Sequence, residues 1–152
     1  MTTVDTADRI RATANRPPEP AALADLRQVV RLDIGLCAAS GVALVAGARP
    51  LADLAGLAGG GETAAVGGFL LVLAAGLVLL ARASARTLVQ LVPWSAEGDL
   101  VWAAVSALVA GTVSMNGTGR ALVLAQGVIV AGVGVAKLRA HRAARAAIIG
   151  AR

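Results

Sequence analysis

Charge-poor apolar runs, set off by turn residues and arginines, organise this chain. After Pro20, a residue suited to a first helical position, Leu23, Leu26, Val29 and Val30 recur at helical spacing with Arg27 and Arg31 among them. They predict an interfacial turn that leads into a first span. The uncharged core of that span, residues 34–48, has 15 residues, short of the roughly 20 needed to cross a bilayer. Counting from Val29 supplies the length and places Arg31 and Asp33 in the headgroup zone. Pro50 then opens a short surface helix over about 51–57, closed by glycines. The second span is cleaner: residues 63–81 hold 19 uncharged positions, stopped by Arg82 and Arg86.

The third span has two readings. It runs unbroken from about Thr87, with Pro93, Glu97 and Asp99 inside the bilayer, or it starts at Ser95 as N-cap and runs to about Met115. The second is preferred, because it keeps the proline and both acids near the headgroups, where they cost least. Asn116–Gly119 is then a tight hairpin, and a fourth span covers about 120–137. The expected architecture is an all-α polytopic membrane protein, a bundle of four transmembrane helices at about 29–48, 63–81, 95–115 and 120–137. Residues 1–19 are expected to be a disordered cytoplasmic tail, 20–140 the four-helix domain and 138–152 a basic cytoplasmic tail.

Composition agrees with a membrane chain. It is 57% hydrophobic and 15% charged, with mean hydropathy +0.76, against about 45–50% and 25% in soluble domains. The N-terminus carries Asp5, Asp8 and Glu19 and lacks the apolar stretch of a secretory signal. Twelve Lys and Arg lie in the N-terminal segment, the loop between spans two and three, and the C-terminal tail, against Arg49 and Arg120 in the other loops. That asymmetry predicts a plasma-membrane protein with both termini cytoplasmic. Net charge +5 with 2% aromatics offers no stacking platform for nucleic acid. Lys137, Arg139, Arg142 and Arg145 are instead expected to meet anionic lipid.

Candidate chemistry is sparse. Gly56 to Thr63 imitates a phosphate-binding loop, but Glu62 stands where lysine must be. Cys37 alone excludes an intrachain disulfide and a multi-cysteine metal site, and His141, the single histidine, is expected to be solvated. Small residues form the most regular signal: Gly35, Ala39, Ala43 and Gly47, then Ala103, Ala107 and Gly111, then Gly127 with Ala131. Such ladders let helix backbones approach closely, so intramolecular packing is expected, with a homodimer face as the alternative. Asp99, Trp102 and Ser106 share one helix face. Cap and interface explain Glu97, Asp99 and Trp102 most simply. The competing reading is an intramembrane polar cluster of Asp33, Asp99, Ser106 and Gln126.

From about Arg27 to Arg142 the chain resembles a large group of uncharacterised four-helix small integral membrane proteins of high-GC bacteria. The matching residues are RLDIGLCAASGVALVAGARPLADLAGL, GGFLLVLAAGLVLLAR, the spacing of Asp99, Trp102 and Ser106, and the Ala125-Gln126 pair. The group usually carries asparagine where this chain has Asp99. The resemblance implies a four-helix bundle and no established activity. The resulting expectation is a structural or partner-binding membrane component with no catalytic, cofactor or metal site, associating with itself or a larger partner. The alternative is a small-solute or ion-coupled transporter using Asp33, Asp99 or both.

Overall fold

The structure, a computed structural model, describes residues 21–150, with side chains to 147; the tail expected over 1–19 lies outside them. Five helices follow in order: α1 (Ala21–Ala46), α2 (Ala48–Ala55), α3 (Gly60–Arg82), α4 (Ala85–Thr112) and α5 (Gly117–Gly150). The chain is all-helical. Three stretches are long and apolar enough to cross a membrane, Ala21–Ala46, Gly60–Arg82 and Gly117–Ala147. The sequence predicts four; α4 falls short because Ser95, Glu97 and Asp99 interrupt its apolar run.

α1 needs no separate interfacial turn. Leu23, Leu26, Val30, Asp33 and Gly41 form one buried stripe along a continuous helix. Leu23, Leu26 and Val30 pack with Leu88 and Val92 of α4 and Ala144 of α5, closing one end of the bundle. Arg27 reinforces this end by donating to the carbonyls of Ala81 and Ala83, where α3 runs out of internal partners.

The opposite end is closed by α2. Gly56, in the left-handed region at φ 72°, terminates that helix by donating to carbonyls at its end. The Asn116 side chain donates to Leu54 O at 2.8 Å and accepts from Gly119 N at 2.8 Å. Asn116 thus caps α5, which already includes Gly117 and Gly119 rather than leaving them in a hairpin.

The bundle is two antiparallel pairs. α1 and α3 approach most closely at Gly41 and Gly67, where a Cβ on either glycine would meet the other's carbonyl oxygen at 2.9 Å. α4 and α5 approach along a seven-residue repeat. Gly127 lies under Ser106, and Gly134 under Asp99 and Ala96, so the seam descends one helix as it climbs the other. α3 and α4 are joined by only two residues, Ala83 and Ser84, yet a cavity separates them along much of their length.

The small-residue ladders largely lie elsewhere. Gly35, Ala39 and Ala43 are exposed, and a Cβ on Gly35 would meet nothing within 4 Å. Ala107 and Gly111 are also exposed, whereas Gly127 is buried near Ala103 and Ser106. Gly47 sits at the α1–α2 junction, where a Cβ would meet Ala43 O at 2.9 Å. The correction is physical: a four-residue ladder marks a smooth face, but which face is covered depends on the neighbour. On α1 the covered face is the one two residues out of phase, carrying Asp33, Cys37 and Gly41.

α4 corrects the expected N-cap of the third long helix. Ser84, not Ser95, is its N-cap, accepting from Thr87 N at 3.2 Å. The helix continues through Pro93. Proline removes one intrahelical donor and bends the axis. Lengthening the helix in this way moves Ser95 and Asp99 from a cap to its middle.

Candidate functional site

Asp33 is the thirteenth of the 26 residues of α1, and Asp99 the fifteenth of the 28 of α4. Each therefore lies 13 residues, about 20 Å at 1.5 Å per residue, from its helix's C-terminal end at Ala46 or Thr112. Lys137 reaches the same level from α5. Its side chain is fully buried, and the Asp33 side chain is 4% exposed.

The Lys137 ammonium has three protons and finds three acceptors. It donates to Asp33 Oδ2, to Asp99 Oδ2 at 2.7 Å and to Ser95 Oγ at 2.8 Å. Cys37 Sγ, one turn along α1, donates to Asp33 Oδ1 at 3.5 Å. Both oxygens of Asp33 are thus engaged. Asp99 is the more open carboxylate, 15% exposed, with one oxygen in the cluster. Two acidic side chains thus converge on one basic side chain inside an apolar bundle.

This arrangement ties the two helix pairs together. Asp33 and Cys37 come from the α1–α3 pair, while Ser95, Asp99 and Lys137 come from the α4–α5 pair. Burial of charges is costly without pairing, and one lysine is shared by two acids across the interface.

Two cavities reach the cluster. The larger, about 640 Å³, lies between α3 and α4 and is lined by Asp33, Ser95 and Asp99 with apolar residues of both helices. Phe69 and Trp102 stack across it, ring centres 5.7 Å apart and planes inclined by 22°. Trp94, 73% exposed, stands at its rim. Trp102 Nε1 is buried without a hydrogen-bond partner. The smaller cavity, about 290 Å³, touches the cluster from the other side through Asp33, Cys37, Ser40 and Gln126.

Of the polar residues singled out in the sequence, Asp33 and Asp99 come together. Ser106 is buried but donates to Trp102 O on its own helix at 2.9 Å and packs against Gly127. Gln126 lines the smaller cavity. Glu97 is exposed and outside the cluster, and His141 is half-buried rather than solvated, its Nδ1 without a partner.

Lys137, Ser95 and Cys37 are the three members that the sequence pattern does not place in the cluster. Lys137 follows the last apolar run and reads as the first residue of a basic tail. One signal was available: it is the sole lysine, beside thirteen arginines. A compact ammonium suits a site of three converging oxygens better than a planar guanidinium. Among the described residues, no group of three or more His, Cys, Asp or Glu is placed to hold a metal ion. Comparison with protein-family models, curated proteins and solved structures finds no match to the chain.

Proposed function

We propose that this protein is a non-enzymatic, ion-coupled carrier of small solutes, its four long helices crossing the membrane and Asp33, Asp99 and Lys137 forming its coupling site. The single observation that carries the reading is the charge count at the cluster. Two carboxylates, one buried and one partly open, share one ammonium beside an open cavity, so the site needs one more positive charge. A proton on a carboxylate or a bound cation supplies it. Because either suffices and both together overcompensate, proton and cation exclude one another, which is the basis of exchange across a membrane.

The crossing of α4 is supported by its partners. It packs along α5 from Ala96 to Ser106, and Asp99, the charge that most opposes its insertion, is paired in the interior with Lys137. Counting about 20 residues back from Thr112 puts Pro93 near the inner headgroups and Glu97 about one turn deeper. Basic residues at the same level, Arg27, Arg82 and Arg86, suit a cytoplasmic side, and Arg139, Arg142 and Arg145 would there meet anionic lipid.

The test is proton movement in proteoliposomes with a trapped pH indicator and an imposed pH gradient. Sodium, potassium, tetramethylammonium and tetraphenylphosphonium are added in turn. The expected result is proton release driven by at least one of them, abolished by Asp99→Asn. Release no faster than in protein-free liposomes for every cation would overturn the reading.

A second reading, a self-associating structural component, is favoured by the exposed Gly35, Ala39 and Ala43 face. Gly35 is exposed and a Cβ there meets nothing within 4 Å, so Gly35→Leu is expected to leave the melting temperature of the protein in detergent unchanged. If that face joins two copies, the same substitution halves the particle mass measured by light scattering. An unaltered mass would remove the support for this reading.

A further inference from the structure

The larger cavity defines what kind of cation the site accepts. Resting on the carrier reading above, we infer that the space between α3 and α4 binds a lipophilic organic monocation, a protonated amine or quaternary onium, that arrives laterally from the bilayer. The cavity is of ligand size, about 640 Å³, within the roughly 300–1,000 Å³ of small-molecule sites. Its walls are almost entirely apolar, with Leu70, Leu73 and Leu77 of α3 facing Leu91 and Val101 of α4. An alkali ion gains nothing from such walls, whereas an organic cation loses little on leaving lipid for them.

The position of the charge agrees. Of the two carboxylates, Asp99 is the more open, and it lies in the cavity wall. Phe69 and Trp102 present aromatic surface to the same space, and aromatic faces attract organic cations. Access is lateral because the pairs α1–α3 and α4–α5 each pack closely, while the gap falls between α3 and α4. Both ends of the bundle are shut, one by the Leu23, Leu26, Val30 and Leu88 core and the other by α2 and Asn116.

The titratable and charged groups facing the cavity are few. α1 contributes Asp33 and Cys37, α4 contributes Asp99, α3 contributes none, and Lys137 of α5 stands behind the carboxylates. One bound monocation therefore replaces one proton, which leaves to solvent, and the charge of the occupied site stays constant.

The experiment is a titration of purified full-length protein in detergent with tetraphenylphosphonium, read through tryptophan fluorescence. Trp94 and Trp102 are the only tryptophans, and both line the cavity. Saturable quenching is expected, with the apparent Kd falling about tenfold per pH unit where one proton is exchanged. Asp99→Asn is expected to weaken binding at least tenfold and to flatten that pH dependence. Gly76→Phe provides a variant that leaves the charges intact. Gly76 lines the cavity, and a Cβ there meets nothing within 4 Å, so the phenyl ring occupies the space while the fold, checked by an unaltered melting temperature, persists. It is expected to abolish saturable binding. Quenching that rises linearly with probe, or is equal in wild type and both variants, reports partition into the micelle and overturns the inference. Proton exchange with sodium or potassium in the liposome experiment, without saturable tetraphenylphosphonium binding, would overturn this ligand class and leave the carrier reading standing.

Discussion

Replacing Lys137 by methionine is expected to lower the stability of the purified protein by about 3–5 kcal/mol, the usual cost of removing one partner from a buried ion pair. Followed by tryptophan fluorescence during heating, that corresponds to a fall in melting temperature on the order of 10 °C. Methionine is one atom shorter but keeps the unbranched apolar stem, so the loss reports mainly the charge. Asp33 Oδ2, Asp99 Oδ2 and Ser95 Oγ lose their shared donor at once, and two carboxylates face each other in an apolar interior. Lys137→Arg is expected to fare little better. The lysine side chain is fully buried among three oxygens, and a guanidinium fork is larger and presents its donors in one plane. The informative comparison is the triple variant Asp33→Asn, Asp99→Asn, Lys137→Met. Removing all three charges is often close to neutral, so most of the lost stability is expected to return while the pH-dependent cation binding does not. A triple variant as unstable as Lys137→Met would show that the cost lies in packing rather than in unpaired charge.

The position of Lys137 also marks where the sequence stops being legible. Helix locations follow from the one-dimensional pattern, because apolar runs and charged boundaries are local properties. The span expected at 63–81 corresponds to Gly60–Arg82, and the surface helix expected at 51–57 to Ala48–Ala55. Pairing is not local. Asp33 and Lys137 are 104 residues apart, and no periodicity within α1 or α5 says that they meet. What could have hinted at the register is the matched spacing of Asp99 with Ser106 and of Gly127 with Gly134, seven residues in each case.

Ser95 lies in mid-helix rather than at the expected cap for a related reason. A proline two residues before a serine reads as the start of a helix, since proline disfavours helical geometry in its predecessor. Here α4 has already run for eight residues when it reaches Pro93. In a bundle the freed backbone groups are tolerated because neighbouring helices hold the segment in place. Leu88, Val92 and Ala96, fully buried on either side of Pro93, supply that hold. The acids expected to sit in a first turn therefore lie in mid-helix, and only one of them, Asp99, faces inward.

Gly67→Val and Gly68→Val are expected to have opposite outcomes although the residues are adjacent. At Gly67 a Cβ would stand 2.9 Å from Gly41 O, Leu44 Cβ and Val45 Cγ2, while at Gly68 it meets nothing within 4 Å. Valine at 67 must push α1 away from α3, an overpacking cost of about 1–3 kcal/mol. The seam has little with which to resist, because packing between helices in lipid depends on close contact rather than on a hydrophobic drive. The consequence extends beyond stability. Gly41, Cys37 and Asp33 follow one another at four-residue intervals along α1, so displacing Gly41 also displaces Asp33 from the Lys137 ammonium. Gly67→Val is thus expected both to lower the melting temperature and to weaken tetraphenylphosphonium binding, although Gly67 does not line the cavity. Gly68→Val is expected to change neither. Equal behaviour of the two variants in heating curves and fluorescence titrations would mean that the α1–α3 seam does not set the position of Asp33. If valine at 67 destabilises the protein and the residual folded fraction binds the cation normally, the charge cluster is held by α4 and α5 alone.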